Sequence, residues 1–237
     1  MNITNNDIKN LKDKHFKKEN NLFVVEGNKF CHDLLKSDIE IVLTLTTNKD
    51  LKGFPHTELI SEKMLSSLAT TKTNQDIICV CKVKDFGMDS VGNSLVLDNL
   101  QDPGNVGTLI RSAVAFGFCD IYIVDGADVY SEKVIRSSAG TILNARLHVC
   151  SFDQIKENKQ KIADIFALAD MFGENINKIH LPKQRIAVII GNEGNGVSKE
   201  FFDFADIKVS IPMSCKVESL NAGVAGSIIM QKIGDIN

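Results

Sequence analysis

The sequence predicts two α/β units in one chain: a small layered domain over residues 1–88 and a larger, mostly parallel sheet with helices on both faces over residues 89–237. Three observations carry that reading. Apolar runs such as S-L-V-L-D (Ser94–Asp98), D-I-Y-I-V-D (Asp120–Asp125) and I-A-V-I-I (Ile186–Ile190) lack the polar alternation of a half-exposed strand and suit a sheet covered on both faces. Helical segments alternate with these runs, as the reconnection of parallel strands requires. Between the halves, D-F-G-M-D-S-V-G-N (Asp85–Asn93) carries two glycines and no clear periodicity, which marks a boundary.

The first unit opens with a lysine-rich helix in which Lys9, Lys12, Lys14, Lys17 and Lys18 surround Asp13 and His15. Such a cluster is either the solvated face of an amphipathic helix or a phosphate-contacting patch. N-L-F-V-V-E-G (Asn21–Gly27) reads as a strand ending at a glycine, followed by a helix (Asn28–Lys36) and the strand I-E-I-V-L-T-L (Ile39–Leu45). After H-T-E-L-I (His56–Ile60), Ser61 supplies an N-cap for the next helix. D-I-I-C-V-C-K-V (Asp76–Val83) is the last strand of this unit.

In the second unit the strand Ser94–Asp98 leads to Asp102-Pro103, an N-cap with proline at the first helical position. That helix runs to Phe116 and stops at Gly117, a natural residue for a left-handed C-terminus. The strand Asp120–Asp125, a helix over Glu132–Leu143, strands at Ile165–Ala169, Ile186–Ile190 and Ile207–Ile211, and a last helix over Leu220–Ile233 complete the expectation.

Composition excludes several classes. The 237 residues are 43% hydrophobic and 24% charged, ordinary for a soluble globular protein. No run approaches the roughly 18–20 apolar residues of a membrane span. The N-terminus has no apolar signal region, so a cytoplasmic protein is expected. The six cysteines are scattered, and C-x-C at Cys79 and Cys81 reads as alternating strand positions, so no metal site is expected. A net charge of −3 argues against indiscriminate nucleic-acid binding, although charge can be local.

Three short segments stand out for chemistry. N-L-Q-D-P-G-N-V-G-T-L-I-R-S-A (Asn99–Ala113) puts Asn105 at a helix N-terminus, where free N–H groups favour anions, and Arg111 six residues on, about 120° around the helix. A planar guanidinium there can hold a hydroxyl and a phosphate together. G-N-E-G-N-G (Gly191–Gly196) directly follows a strand, where glycines let backbone approach a ligand; it is neither a P-loop nor a G-x-G-x-x-G fingerprint. Glu193 either caps the following turn or lies in the site. I-P-M-S-C-K-V-E-S-L-N (Ile211–Asn221) ends a strand at Pro212, offers Ser219 as N-cap of the last helix, and places Asn221 in its first turn.

Taken together and in this order, the three segments closely resemble the three motifs of the SpoU/TrmH family of RNA ribose methyltransferases, within the SPOUT class. The matching positions are Asn99, Asp102-Pro103, Asn105, Gly107 and Arg111; Gly191, Asn192, Glu193, Gly194 and Gly196; and Ile211, Pro212, Met213, Glu218, Ser219, Leu220 and Asn221. V-I-R-S-S-A-G (Val134–Gly140) is similar to a secondary family segment, and F-V-V-E-G (Phe23–Gly27) and T-K-T-N-Q (Thr71–Gln75) loosely to the family's substrate-binding domain. Ser112, Ala222 and Gly223 depart from the commonest residues at their positions.

The resemblance implies a deep trefoil knot in the second unit, a homodimer with the cofactor pocket at the subunit interface, and S-adenosylmethionine as cofactor. Gly191, Asn192, Gly194, Ile211, Met213 and Leu220 would hold it. Arg111, Asn105, Glu193, Ser219 and Asn221 would serve the transfer of a methyl group to a ribose 2′-hydroxyl. The implied partner is RNA, with ribosomal RNA favoured and transfer RNA left open, and with neither DNA nor membrane. A base N-methyltransferase of the same fold and a non-catalytic RNA-binding or ribosome-assembly protein are the competing readings.

Overall fold

The computed structural model describes residues 5–69, 76–214 and 219–234. The chain forms two compact units, Met1–Lys84 with Tyr130–Glu132, and Asp85–Val129 with Lys133–Asn237.

The first unit contains α1 (Asn5–Asn10), α2 (Lys14–Glu19), β1 (Leu22–Glu26), α3 (Asn28–Leu34), β2 (Ile41–Thr46), β3 (Thr57–Leu59), α4 (Glu62–Leu68) and β4 (Ile77–Lys82). Its sheet has the order β1-β4-β2-β3, with β4 antiparallel to both neighbours and β3 parallel to β2. The expected single lysine-rich helix is two. Asp13 turns its carboxylate onto the N–H groups of His15 (2.8 Å) and Phe16 (3.4 Å) and so starts a new helix inside the apolar repeat. Ile8 and Leu11 are buried with Leu22, Leu45, Leu65 and Ile78, while Lys9, Lys12, Lys14 and Lys18 are exposed. Ser61 caps α4 as expected, accepting from the Met64 N–H at 3.2 Å. Cys79 and Cys81 are buried on β4. The T-K-T-N-Q segment lies outside the described residues.

The second unit contains β5 (Ser94–Asp98), α5 (Pro103–Ala115), β6 (Asp120–Val124), α6 (Glu132–Ser137), β7 (Arg146–Cys150), α7 (Phe152–Glu157), α8 (Lys159–Ile162), β8 (Ile165–Asn175), β9 (Ile186–Ile190), α9 (Lys199–Phe204), β10 (Ile207–Ser210) and α10 (Ala222–Gly234). All six strands are parallel, in the order β10-β8-β9-β5-β6-β7. Alternate residues serve the two faces. Val96, Tyr122, Phe166, Leu168 and Ile189 pack with Ile155, Ile162 and Phe201 from α7, α8 and α9. Ile190 instead meets α10 at Gly226. From β5 the chain moves outward to β6 and β7, then returns on the other side to β8 and β9. The strand order therefore reverses between β5 and β9. Among the described residues no helix is long and apolar enough to cross a membrane.

Several boundaries differ from expectation. The helix expected over Glu132–Leu143 ends at Ser137, because Ala139 (φ 52°) and Gly140 (φ 84°) turn left-handed before a single 3-10 turn at Thr141–Asn144. β7, α7, α8 and α9 are additional elements, and β8 runs on to Asn175 rather than stopping at Ala169. R-L-H-V-C escapes a sequence reading because its polar residues are inward-facing: His148 is buried against Asp120.

Candidate active site

Asp102 begins α5 as its sequence position suggests: its carboxylate accepts the Asn105 N–H at 2.8 Å, and Pro103 occupies the first turn. Asn99, just before it, holds a left-handed conformation (φ 53°), which asparagine tolerates better than most side chains. Gly107 is a matter of space. A Cβ there would run into the Ser137 side chain and stand 2.8 Å from the Ser138 nitrogen.

The turn after β9 is closed by two backbone bonds, Asn192 N–H to the Gly196 carbonyl (2.8 Å) and Gly196 N–H to the Asn192 carbonyl (2.9 Å). The Asn192 side chain organises it from inside, accepting from the N–H groups of Gly194 (2.9 Å) and Asn195 (3.0 Å). Its Nδ2 donates to the Asn99 carbonyl at 2.9 Å, tying this turn to the end of β5. Asp98 makes a second tie, accepting the Ser198 N–H at 2.6 Å; burial pushes its carboxyl up, and the Ser198 bonds offset part of that rise.

Glu193 does not cap its own turn. It reaches back to α5, where its carboxylate accepts the N–H groups of Gln101 (3.3 Å) and Asp102 (3.2 Å) and the Asn105 amide (3.0 Å). Burial pushes the Glu193 carboxyl up. The Asn105 amide, its own backbone N–H and those of Gln101 and Asp102 outweigh that, and the net direction is down. The tie is therefore complete above the ordinary carboxylate value of 4.5 and is lost as pH falls through the lowered one.

At the start of α10 the expected roles shift by two residues. The helix starts at Ala222, and Asn221, not Ser219, is its cap, accepting the Val224 N–H at 3.2 Å. Ser219 lies ahead of the helix, and Glu218 lies outside the described residues. Asn221 and Asn105 converge on Gly223: a Cβ there would stand 3.1 Å from Asn221 Oδ1 and 3.3 Å from Asn105 Oδ1.

These loops enclose a cleft of about 780 Å³ at the carboxyl ends of β8, β9 and β10, within the roughly 300–1,000 Å³ range of small-molecule sites. Gly191, Asn192, Gly194, Ile211, Met213 and Leu220 all line it, as do Glu193, Ser219 and Asn221. Asn105 is buried behind it, through Glu193. Arg111 does not line it and stands exposed on α5. A second set was missed by sequence reading: Asp170, Met171 and Phe172 from β8 and Phe202 from α9 also line the cleft. Their signal was the break in apolar character at Asp170 and Gly173 within Ile165–Asn175.

The walls of the site bring backbone close to any occupant. At Gly191 a Cβ would stand 2.5 Å from the Val197 nitrogen and 2.6 Å from the Gly196 carbonyl carbon, so only glycine allows the turn to fold this close to the strand end. Ile190, Leu220, Ala225 and Ile229 supply an apolar floor.

A parallel sheet with a cleft at the carboxyl ends of β8, β9 and β10, walled by a glycine turn and by Ile211 and Met213, defines an α/β domain that takes a small molecule outside its strand ends. Residues 92–231 match the SpoU rRNA Methylase family, and residues 5–79 match the MRM3-like substrate binding domain. The chain is 31% identical, over 95% of both chains, to the 23S rRNA (guanosine(2553)-2′-O)-methyltransferase RlmP of Bacillus subtilis. In fold it is similar to an AdoMet-bound rRNA methyltransferase from Sinorhizobium meliloti (TM-score 0.82, 21% identity, 96% of this chain and 92% of that one). It is similar also to the SpoU methyltransferase AviRb of Streptomyces viridochromogenes in complex with AdoMet (TM-score 0.84, 21% identity, 96% and 95%). The chain belongs to the SpoU rRNA methylase family and is an RNA methyltransferase.

Proposed function

We propose that this enzyme transfers a methyl group from S-adenosylmethionine to a ribose 2′-hydroxyl of 23S ribosomal RNA. The observation that carries the reading is the convergence of Gly191–Gly196, Ile211–Met213 and Ser219–Asn221 on one cleft, with Glu193 bonded to Asn105 behind it. Gly191, Asn192, Gly194, Ile211, Met213 and Leu220 hold the cofactor, mostly through backbone. The bound cofactor supplies an electrophilic methyl group on a sulfonium. Ser219 and Asn221 offer hydrogen bonds at the acceptor side, and Glu193 fixes Asn105 and the start of α5 against the glycine turn. Alignment of this kind is a large part of what such a transfer needs.

Arg111 acts from outside the cleft, where the RNA arrives. A guanidinium stays protonated in proteins, so its role is to stabilise charge developing on the 2′-oxygen or to grip the neighbouring phosphate, not to remove a proton as a free base. The first unit, with exposed Lys9, Lys12, Lys14 and Lys18, contributes the RNA-binding surface. A knotted second unit and a homodimer belong to the same reading. Exposed Phe116 on the end of α5, with Val224 and Ile228 four residues apart on α10, provides an apolar face for a second copy. A cytoplasmic location belongs to the same reading.

The test is transfer of tritiated methyl from S-adenosylmethionine to unmodified 23S rRNA transcript, with the position mapped by resistance of the 2′-O-methylated linkage to alkaline cleavage. Methylation at a base nitrogen would replace the ribose assignment, and binding without transfer would replace the enzyme.

A further inference from the structure

The rim of the cleft carries apolar side chains outside the set assigned above to the cofactor and to the acceptor. Phe172 is 90% exposed, Met171 52% and Phe202 40%. Single exposed apolar residues need no explanation, but a group of them on the mouth of a site does.

The segment that presents Phe172 is built. Lys208 of β10 faces Leu168, and the next residue, Val209, faces Glu174, so the five residues Ala169–Gly173 are thrown out of the ladder. Bulges of this kind re-aim side chains beside active sites. Three features hold this one. The Asp170 carboxylate accepts the Phe172 N–H at 2.8 Å, and Ser210 Oγ donates to the Gly173 carbonyl at 2.8 Å. At Gly173 a Cβ would stand 2.6 Å from the Lys208 carbonyl carbon and 2.7 Å from the Val209 nitrogen, so the segment packs as tightly as glycine permits. Next to it, Lys208 Nζ lies 3.1 Å from the centroid of the Phe202 ring, a cation held at the same rim.

We propose that Phe172 is a stacking platform for a base of the RNA substrate near the acceptor ribose, with Lys208 on Phe202 receiving an adjoining phosphate. The proposal rests on the RNA methyltransferase reading above. Single-stranded RNA is recognised by aromatic faces interleaved with cations, and stacking on a phenyl ring suits any base. A ring this exposed points to a ligand arriving from solvent and not to one seated deep in the cleft. The cation fixed at the rim favours a polyanion over an apolar protein face. Phe172 is not part of the apolar face of Phe116, Val224 and Ile228 assigned above to a second copy.

The test compares wild type with Phe172→Ala, Phe172→Leu and Phe172→Trp. Affinity for unmodified 23S rRNA transcript is read by filter binding, affinity for S-adenosylhomocysteine by calorimetry, and assembly by sedimentation. Phe172→Ala and Phe172→Leu should bind the transcript about five- to a hundredfold more weakly, and Phe172→Trp as tightly as wild type. S-adenosylhomocysteine affinity and sedimentation should not change. The proposal is overturned if Phe172→Ala binds the transcript normally, or if Phe172→Leu equals wild type, since leucine keeps apolar area without a π-face. Weaker S-adenosylhomocysteine binding would assign the ring to the cofactor, and a change in assembly would assign it to a second copy; either outcome refutes stacking on RNA. If wild type neither binds nor methylates the transcript, the functional reading fails and takes this proposal with it. If wild type methylates and Phe172→Ala does so at an unchanged KM for RNA, only the stacking role fails.

Discussion

The two ends of the six-stranded sheet handle polar groups in opposite ways. At the amino end Asp120 is fully buried at the start of β6 and receives His148 Nε2 (2.9 Å), Arg146 NH1 (3.3 Å), the Val91 N–H (3.0 Å) and Ser90 Oγ (3.2 Å). Its partners are engaged in turn, His148 Nδ1 with the Gly87 carbonyl (2.7 Å) and Arg146 with that of Asp89 (3.0 Å). At the carboxyl end Glu193 is exposed, and its turn, folded close at Gly191, is closed by two backbone bonds and tied by the side chains of Asn192 and Glu193 to the end of β5 and the start of α5. The same strands serve both ends. One end spends its donors on a closed charge network that locks the segment after Asp85; the other leaves backbone and side-chain groups facing a cleft. Stability and chemistry are thus separated along the strand direction, and that separation can be tested.

The largest effect should come from breaking the closed end. Asp120→Ala leaves a buried histidine and a partly buried arginine without their carboxylate, a change that typically costs about 3–5 kcal/mol. Denaturant unfolding should show that loss, while the folded fraction keeps its affinity for S-adenosylhomocysteine. Burial pushes the Asp120 carboxyl up, but bonds from His148 and Val91 and the charge of Arg146 win, and its pKa is lowered. Its contribution to stability is therefore present above the ordinary value of 3.8 and lost as pH falls through the lowered one. Asp120→Asn should flatten that acid limb. Cofactor affinity that falls in step with stability would break the comparison.

Next is Arg111. Arg111→Ala should reduce single-turnover methyl transfer by about a hundredfold to a thousandfold, the usual loss for one electrostatic donor in a preorganised site. Stability should change by about 0.5 kcal/mol or less, as for an exposed position. Arg111→Lys should recover little, because a point charge cannot span hydroxyl and phosphate as a planar fork does. Near-normal transfer by Arg111→Ala would remove the residue from the mechanism.

The two ends were also unequally legible in the sequence. The carboxyl end could be read because its chemistry lies in contiguous segments: Asp102-Pro103 announces a helix start, and G-N-E-G-N-G announces a turn after a strand. The amino end could not, since Asp120, Arg146 and His148 come from separate strands and only pairing of β6 with β7 brings them together. The same reason hid β7, whose polar residues answer to a distant aspartate. The role of Asn221 was misplaced because serine and asparagine both cap helices, and propensity alone cannot choose between Ser219 and Asn221. The Met171–Phe172 rim was missed because a bulge is a property of pairing with β10, and no local pattern announces it.

Glycines at the open end give a smaller and more selective effect. Gly191→Ala forces a Cβ into the backbone of Gly196 and Val197, an overpacking that costs about 1–3 kcal/mol. Because the strain falls on the cofactor wall, S-adenosylhomocysteine affinity should drop by about five- to a hundredfold. Gly194→Ala is the control: its nearest neighbour, Asn192 Oδ1, lies at an ordinary 3.6 Å, and binding should stay close to wild type. Equal tolerance of both substitutions would show that the turn moves to admit its ligand.

The smallest effect separates two roles of one side chain. Asn221 Oδ1 caps α10 through the Val224 N–H, a contribution worth about 1 kcal/mol against alanine. Aspartate and serine cap as well, and aspartate also gains from the helix dipole. Asn221→Ala should therefore lower the unfolding midpoint, whereas Asn221→Asp and Asn221→Ser should hold it. The amide nitrogen is not used by the cap, and an ionised aspartate has no proton to donate in its place. If that nitrogen holds the acceptor ribose, Asn221→Asp will fold as well as wild type and still transfer methyl groups slowly, with the deficit in the RNA-dependent step and S-adenosylhomocysteine affinity retained. If turnover across the three variants simply tracks stability, Asn221 is a helix cap that happens to border the cleft, and the acceptor contact passes to Ser219.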